Sequence, residues 1–156
     1  MANGVVSMSH VGLCVSDLER SLRFYTEGLG FEVADGFDIG DGLAPLAEVP
    51  APVECRAQFI THGSLTIELL GWRRPAAEGT PSTSRDQLGF THLSVNVDDL
   101  EAVEARLVGL GARALEDTRT HLDLEGARVD IVFLADPDGV RIELNQFTFL
   151  SSDAAG

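Results

Sequence analysis

Two histidines and two glutamates occupy matching places in strand-like segments of the sequence. His10 and His92 each stand among small or polar residues, on the strand face opposite to the aliphatic residues. Glu68 and Glu143 each lie between two aliphatic residues in a later strand. A carboxylate in such an apolar run is costly to bury unless it is paired or binds a cation. Two imidazoles and two carboxylates suit one divalent ion of Zn, Ni, Co, Mn or Fe(II).

These residues match because the chain contains one unit twice. SHVGLCVSDLE at residues 9–19 aligns without gaps with THLSVNVDDLE at 91–101, and LTIELL at 65–70 aligns with VRIELN at 140–145. A single His or Glu on a strand is usually an ordinary surface residue, but four at repeat-related positions favour a shared ligand set. We predict a first module over 5–72, a linker over 73–89 and a second module over 88–149.

Each module is predicted to begin with a strand and a helix and to continue with further strands. Ser16 and Asp98 stand where helix N-caps are expected, each with a glutamate three residues later. The later strands are predicted near 54–61, 65–71, 128–134 and 140–147. The fold class is therefore α+β, with two βαβββ modules whose curved mixed sheets form a metal-binding cleft.

Composition excludes several classes of function. The 156 residues carry a formal charge of −14, which opposes binding to nucleic acid and to anionic membranes. All 11 basic residues are arginine, so lysine Schiff-base chemistry and a P-loop lysine are excluded. Two cysteines and the lack of a signal-like or membrane-spanning segment lead us to expect a soluble, cytoplasmic protein.

The paired SHVGLCVSDLERSLRFYTEGLGFEV and GFTHLSVNVDDLEA, with the closing DPDGVRIEL, resemble the vicinal oxygen chelate superfamily. This family includes glyoxalase I, methylmalonyl-CoA epimerase, extradiol dioxygenases, and fosfomycin and bleomycin resistance proteins. The resemblance covers residues 5–147 and places four residues on the family's metal-ligand positions: His10, Glu68, His92 and Glu143. In glyoxalase-like members a glutamate of the metal site is the base, which implies Glu143, with Glu68 as its symmetry mate. The family builds its site within one chain or across a dimer, and we expect a homodimer.

The number of ligands favours proton transfer over oxygen chemistry. Four protein ligands on a six-coordinate ion leave two open positions, enough for two neighbouring oxygens of a small substrate. Iron dioxygenases favour a set of two histidines and one carboxylate, because substrate and O₂ need three positions. We therefore expect an isomerase or epimerase that removes a proton beside a carbonyl. The alternatives are a glyoxalase-type lyase, an extradiol dioxygenase, a thiol transferase, and a metal-free protein that binds an antibiotic.

Other residues are weaker candidates. Tyr25 falls late in the first helix and is expected in the core, His62 in a turn facing solvent, and His121 at a cavity mouth or on the surface. Arg73 and Arg74 could steer an anionic substrate but are expected to be solvated.

The segment 34–52 is rich in glycine and proline and is expected to be a long loop. Its apolar residues would form one wall of the site: Phe37, Ile39, Leu43 and Leu46. Residues 32–50 hold no basic residue, whereas glyoxalase I-like proteins place an arginine there for the glutathione carboxylate. This combination favours a neutral or partly apolar substrate, such as a cyclic polyol ketone or a hydroxyketone.

Overall fold

The structure of the protein is a computed structural model, which describes residue 4 and residues 6–150. It divides into two compact units, with the boundary between Gly79 and Thr80. The first unit holds β1 Val11–Val15, α1 Leu18–Arg23 with a following π-helical turn Phe24–Gly28, β2 Glu32–Ile39, a 3₁₀ turn Asp41–Leu43, α2 Ala44–Ala47, β3 Glu54–His62 and β4 Leu65–Arg74. The second holds β5 Leu93–Asn96, α3 Leu100–Gly109, β6 Arg113–Leu124, β7 Ala127–Ala135 and β8 Arg141–Phe149.

Each unit contains a four-stranded mixed sheet with the same topology. The strand orders are β1-β4-β3-β2 and β5-β8-β7-β6, and in both units the first strand pairs in parallel with the last. The remaining strand pairs are antiparallel. This arrangement confirms the predicted α+β class with two βαβββ modules.

The core of each module lies between its helix and one face of its sheet. In the first module Phe24 and Tyr25 are fully buried, as are Ile67 and Leu69 of β4. The helix lies so close to the sheet that a Cβ added at Gly71 would stand 3.0 Å from the Leu18 Cβ. The second module buries Leu100 and Val103 on the first turns of α3 together with alternate residues of β7 and β8, namely Val132, Leu134, Ile142 and Leu144. This face is occupied, so the opposite face is the one available for a site.

The helix N-caps lie one residue later than predicted. Asp17 caps α1 by accepting a hydrogen bond from the Arg20 N–H at 3.0 Å, and Asp99 caps α3 through the Ala102 N–H at 2.9 Å. The predicted caps, Ser16 and Asp98, were wrong because either residue of each pair has a side chain able to cap. In α1 the carboxylate of Asp17 also makes a stronger, charge-assisted bond than the Ser16 hydroxyl could.

The segment 34–52 is not one long loop. Its first part continues β2 as far as Ile39, and the rest forms the 3₁₀ turn and α2. A bulge between Val33 and Gly36 breaks the strand's alternation, which hides the strand in the sequence. The side-chain amide of Gln58 stabilises the bulge by donating to the Ala34 carbonyl at 2.6 Å.

The stretch around His121 belongs to a strand, β6. A bulge spans the residues between Leu115 and Thr120. Inside it the Thr118 hydroxyl donates to the Leu115 carbonyl at 2.7 Å and accepts from the Phe133 N–H at 2.9 Å. The extra residues of the bulge interrupt the backbone hydrogen bonds between β6 and β7. The Thr118 hydroxyl supplies hydrogen bonds in their place.

Of the described helices, the longest covers ten residues, and none has the length and apolar character needed to cross a bilayer.

Candidate metal centre

The first module places His10 beside Glu68. His10 directly precedes β1, and Glu68 lies on the neighbouring β4, where it pairs in register with Gly12. The distance from His10 Nε2 to Glu68 Oε2 is 3.2 Å, and 35% and 14% of the two side chains are exposed. Phe59 of β3 lies opposite Glu68 and contacts the imidazole edge-on, with ring centroids 5.3 Å apart. The pair is therefore half-buried against an aromatic ring and open on one side.

The second module repeats this arrangement. His92 directly precedes β5, Glu143 lies on β8 in register with Ser94, and His92 Nε2 stands 3.7 Å from Glu143 Oε2. Phe133 of β7 lies opposite Glu143 and contacts His92 edge-on at a centroid distance of 5.2 Å. Two modules with separate sheets thus hold the same trio of histidine, glutamate and phenylalanine.

A hydroxyl group stands at the other nitrogen of each imidazole. Ser9 Oγ lies 2.9 Å from Nδ1 of His10, and Thr91 Oγ1 lies 2.9 Å from Nδ1 of His92. Histidine ligands of metals usually donate a hydrogen bond from the nitrogen that does not bind the ion. In both modules this contact engages Nδ1, and Nε2 is the nitrogen that faces the glutamate.

The two carboxylates differ in their remaining neighbours. Glu143 Oε1 accepts hydrogen bonds from the Ser94 hydroxyl at 2.7 Å and from the Asn145 amide at 3.0 Å. Burial alone would raise the pKa of Glu143, but the bonds from Asn145 and Ser94, with the nearby His92, outweigh it and lower the pKa below its ordinary value. Glu143 is thus an ionised carboxylate with one oxygen held by the protein and the other facing the imidazole.

The structure brings the four predicted ligands together as two pairs. His10 stands with Glu68 in the first module and His92 with Glu143 in the second. Over residue 4 and residues 6–150, no three side chains of His, Cys, Asp or Glu are grouped closely enough to hold an ion. Each pair offers an imidazole nitrogen oriented from behind and a carboxylate oxygen, donors that fit a borderline divalent ion.

The other sequence candidates lie away from these pairs. Tyr25 is fully buried in the core, as expected, and the exposed His62 contacts Phe31 at the end of β3. His121 pairs with Asp130, which lies on the sheet face opposite to Glu143. There it lines a cavity of about 720 Å³ beside the first turn of α3. Arg74 is exposed and forms an ion pair with Glu54 at 3.4 Å.

An apolar surface adjoins the first pair. Phe37 of β2 is opposite Ala57, on the same sheet face as Glu68, and its ring centroid is 6.2 Å from that of Phe59. Ile39 is on this face as well. Two of the four residues predicted as an apolar wall therefore line the face that carries His10 and Glu68, while Leu43 and Leu46 are exposed in the 3₁₀ turn and α2.

Several groups at the site were not singled out by the sequence. They are the residues behind the imidazoles and beside the carboxylates: Ser9, Phe59, Thr91, Phe133 and Asn145. The hydroxyls precede their histidines in both repeats, which is a signal that the alignment of residues 9–19 with 91–101 carries. The phenylalanines depend on strand register, which the alignment does not give.

Comparison with known proteins supports one family. A model of the Glyoxalase/Bleomycin resistance protein/Dioxygenase superfamily matches residues 7–144. A lactoylglutathione lyase from Pseudomonas putida is 31% identical, over 90% of this chain and 84% of its own. A 2-epi-5-epi-valiolone epimerase from an Actinomyces species is 30% identical, over 90% of this chain and 79% of its own.

A solved structure shares the fold. The crystal structure of a glyoxalase family protein from Bacillus cereus aligns with a TM-score of 0.78 over 97% of this chain and 99% of that chain, at 18% identity. A similarity at this identity shows the fold alone.

Proposed function

Since the chain belongs to the Glyoxalase/Bleomycin resistance protein/Dioxygenase superfamily, we propose that it is a divalent-metal-dependent isomerase or epimerase. Its reaction would remove a proton next to a carbonyl of a small substrate with adjacent oxygens. The observation that carries the proposal is the repeated pair of histidine and glutamate. Both pairs have the same nitrogen facing the carboxylate and the same hydroxyl behind the imidazole.

We propose that four residues are the ligands of one ion: His10, Glu68, His92 and Glu143. Zn, Ni, Co, Mn and Fe(II) all accept such a set. When bound, the ion supplies a Lewis acid that polarises a substrate carbonyl and acidifies the adjacent C–H. The hydroxyls of Ser9 and Thr91 would orient the imidazoles as ligands.

We assign removal of the substrate proton to a carboxylate of the same set, Glu68 or Glu143. A base must reach the C–H and have an affinity for protons suited to the working pH. Each carboxylate has an oxygen near a histidine Nε2, so either could serve as a ligand of the ion or as the base. Phe59 and Phe133 shield one side of the pairs from water, which strengthens the electrostatic interactions there.

A neutral cyclic polyol ketone is the substrate class that the residues favour. Residues 32–50 contain no basic side chain that could bind an anionic group of the substrate. Phe37 and Phe59 offer an apolar surface to a substrate ring. The epimerase from Actinomyces is named for a compound of this class. The similarity to the lyase from Pseudomonas putida favours a second candidate, formation of lactoylglutathione, at almost equal identity.

The first experiment measures metal content by elemental mass spectrometry on protein purified without a chelating tag. About one divalent ion per chain, removed by chelator and restored by Co, Ni, Mn or Zn, is expected. The reloaded protein is then incubated in D₂O with 2-epi-5-epi-valiolone, and NMR follows the proton beside the carbonyl. Exchange that depends on the metal supports the proposal. Lactoylglutathione formation without exchange into the ketone supports the lyase, and a protein that takes up no metal overturns both.

A further inference from the structure

The two glutamates have different surroundings at the two positions where the repeats differ. The residue paired in register with the carboxylate is Ser94 in the second module and Gly12 in the first. The residue two places after the carboxylate is Asn145 in the second module and Leu70 in the first. Both differences remove a hydrogen-bond donor from the neighbourhood of Glu68.

Three side chains, those of Glu143, Ser94 and Asn145, form a closed set of hydrogen bonds. The Ser94 hydroxyl donates to Glu143 Oε1 at 2.7 Å, and the Asn145 amide donates to the same oxygen at 3.0 Å and to the Ser94 oxygen at 2.7 Å. Asn145 is buried, with 8% of its surface exposed. Rotation of the Glu143 carboxylate would break two bonds to a charged acceptor and leave the buried Asn145 amide with the Ser94 oxygen as its remaining partner.

Glu68 has no comparable support. Its carboxylate contacts Nε2 of His10, at 3.2 Å. Gly12 has no side chain to donate to this carboxylate, and a Cβ added there would make ordinary contacts of 3.9 Å with Glu68 Oε2 and with Leu70 Cδ1. The Leu70 side chain on the same face offers no donor. If His10 binds an ion through Nε2, the sheet does not restrain the Glu68 carboxylate.

We propose that the two carboxylates have different tasks in the proposed reaction, on which this inference rests. Ser94 and Asn145 are positioning residues that hold Glu143 as the permanent ligand of the ion. Glu68 is the carboxylate that moves, and it is the base. The choice differs from the assignment of Glu143 that the family resemblance implies.

The step balances as a simple proton transfer. The C–H bond beside the substrate carbonyl breaks, its electron pair moves toward the carbonyl oxygen, and the proton forms an O–H bond with the Glu68 carboxylate. Return of this proton, or of a solvent deuteron exchanged for it, to carbon restores the carboxylate. No oxidant, reductant or co-reactant is consumed. Glu143 stays ionised throughout, and its Oε1 keeps accepting hydrogen bonds from Ser94 and Asn145.

Cobalt(II) alone tests the positioning role, through its visible absorption and its affinity in competition with a chelator. Ser94→Ala and Asn145→Leu should each weaken cobalt binding by about 10–100-fold, as expected for groups that orient a ligand. Ser94→Thr keeps the hydroxyl and should restore the affinity. Glu143→Gln should weaken binding more than Glu68→Gln does. Equal losses from the two Gln variants, or wild-type affinity in both Ser94→Ala and Asn145→Leu, would overturn the inference.

Giving Glu68 the two hydrogen-bond donors that Glu143 has tests whether Glu68 is the base. Gly12→Ser with Leu70→Asn gives Glu68 the neighbours of Glu143, and the double variant should bind cobalt at least as tightly as the wild type but exchange the ketone proton more slowly. Cobalt-loaded Glu68→Gln should lose about 10²–10⁴-fold in exchange rate per bound ion. Wild-type exchange in Glu68→Gln, with the parent protein active, contradicts this inference and leaves the proposed function standing. A wild-type protein that binds no cobalt overturns both.

Discussion

The Ser9 hydroxyl oxygen lies 2.9 Å from Nδ1 of His10, within hydrogen-bond distance of that nitrogen. When Nδ1–H donates to this oxygen, the lone pair is on Nε2, the atom 3.2 Å from the Glu68 carboxylate. Thr91 stands in the same relation to His92. Because both modules keep the relation, the two imidazoles are prepared for the same role.

Removal of either imidazole should abolish tight metal binding. We expect His10→Ala and His92→Ala to lose more affinity than the ~10–100-fold that follows loss of a group that orients a ligand. Metal content after dialysis, measured by elemental mass spectrometry, checks the expectation. His121→Ala is the matched control, since this histidine is on the opposite face of its sheet and should leave the metal content intact. Full metal content and activity in His10→Ala would show that the assigned ligand set is wrong.

Gly36 in the β2 bulge should not tolerate a side chain. A Cβ at this position would stand 2.7 Å from the Ala57 carbonyl oxygen and 2.8 Å from Gln58 Oε1. Because the first of these atoms belongs to the backbone of the neighbouring strand, we expect Gly36→Ala to destabilise the protein by about 1–3 kcal/mol. Urea unfolding monitored by circular dichroism measures the change.

Gly42 provides the matched control for that substitution. A Cβ there would meet nothing within 4 Å, and Gly42→Ala should be neutral or stabilise the protein by about 0.4–1 kcal/mol. If the two variants unfold at the same urea concentration, the close packing of the bulge against β3 is not real.

The family and the fold class could be predicted because both repeats carry their signals locally. Alternation of aliphatic residues marks β1 and β5, and DPDG marks the turn before β8, where the buried Asp136 accepts from the Asp138 and Val140 N–H groups. The structure and the comparisons confirm the α+β class and the family. The sequence did not predict β2 and β6. A bulge in each of these strands interrupts the period of two on which strand prediction depends.

The site was predictable only in its outline. The repeat identified the histidines and glutamates, whose pairing in each module depends on a parallel register between the first and last strands. The asymmetry between Glu68 and Glu143 stayed hidden, because Asn145 and Ser94 are 51 residues apart and meet only across that register. Contacts between distant strands are set by packing of the whole sheet and leave little trace in a single sequence.

The two thiols should differ sharply in reactivity. Burial, and then the neighbouring Cys14 and Glu68, raise the pKa of the Cys55 thiol to about 11, so at pH 8 roughly one part in a thousand is thiolate. Cys14 is exposed, whereas Cys55 is buried. We expect a disulfide reagent with a chromophoric leaving group to label one thiol quickly and the second only after unfolding. Cys14→Ser should remove the fast phase, and two fast phases in the native wild type would contradict the assignment.

Acid should destabilise the metal-free protein in part through Glu143. Its pKa is lower in the folded protein than the ordinary 4.5, so the ionised carboxylate contributes stability that is fully present above that value. As the pH falls from about 6 through 4.5 toward the folded pKa, this contribution is lost. Glu143→Gln removes the titrating group, and its free energy of unfolding, measured with urea and a chelator, should therefore fall less steeply over this range. Ser94→Ala removes one of the two donors and should give an intermediate slope. Parallel curves for all three proteins would show that the bonds from Ser94 and Asn145 do not stabilise the ionised form.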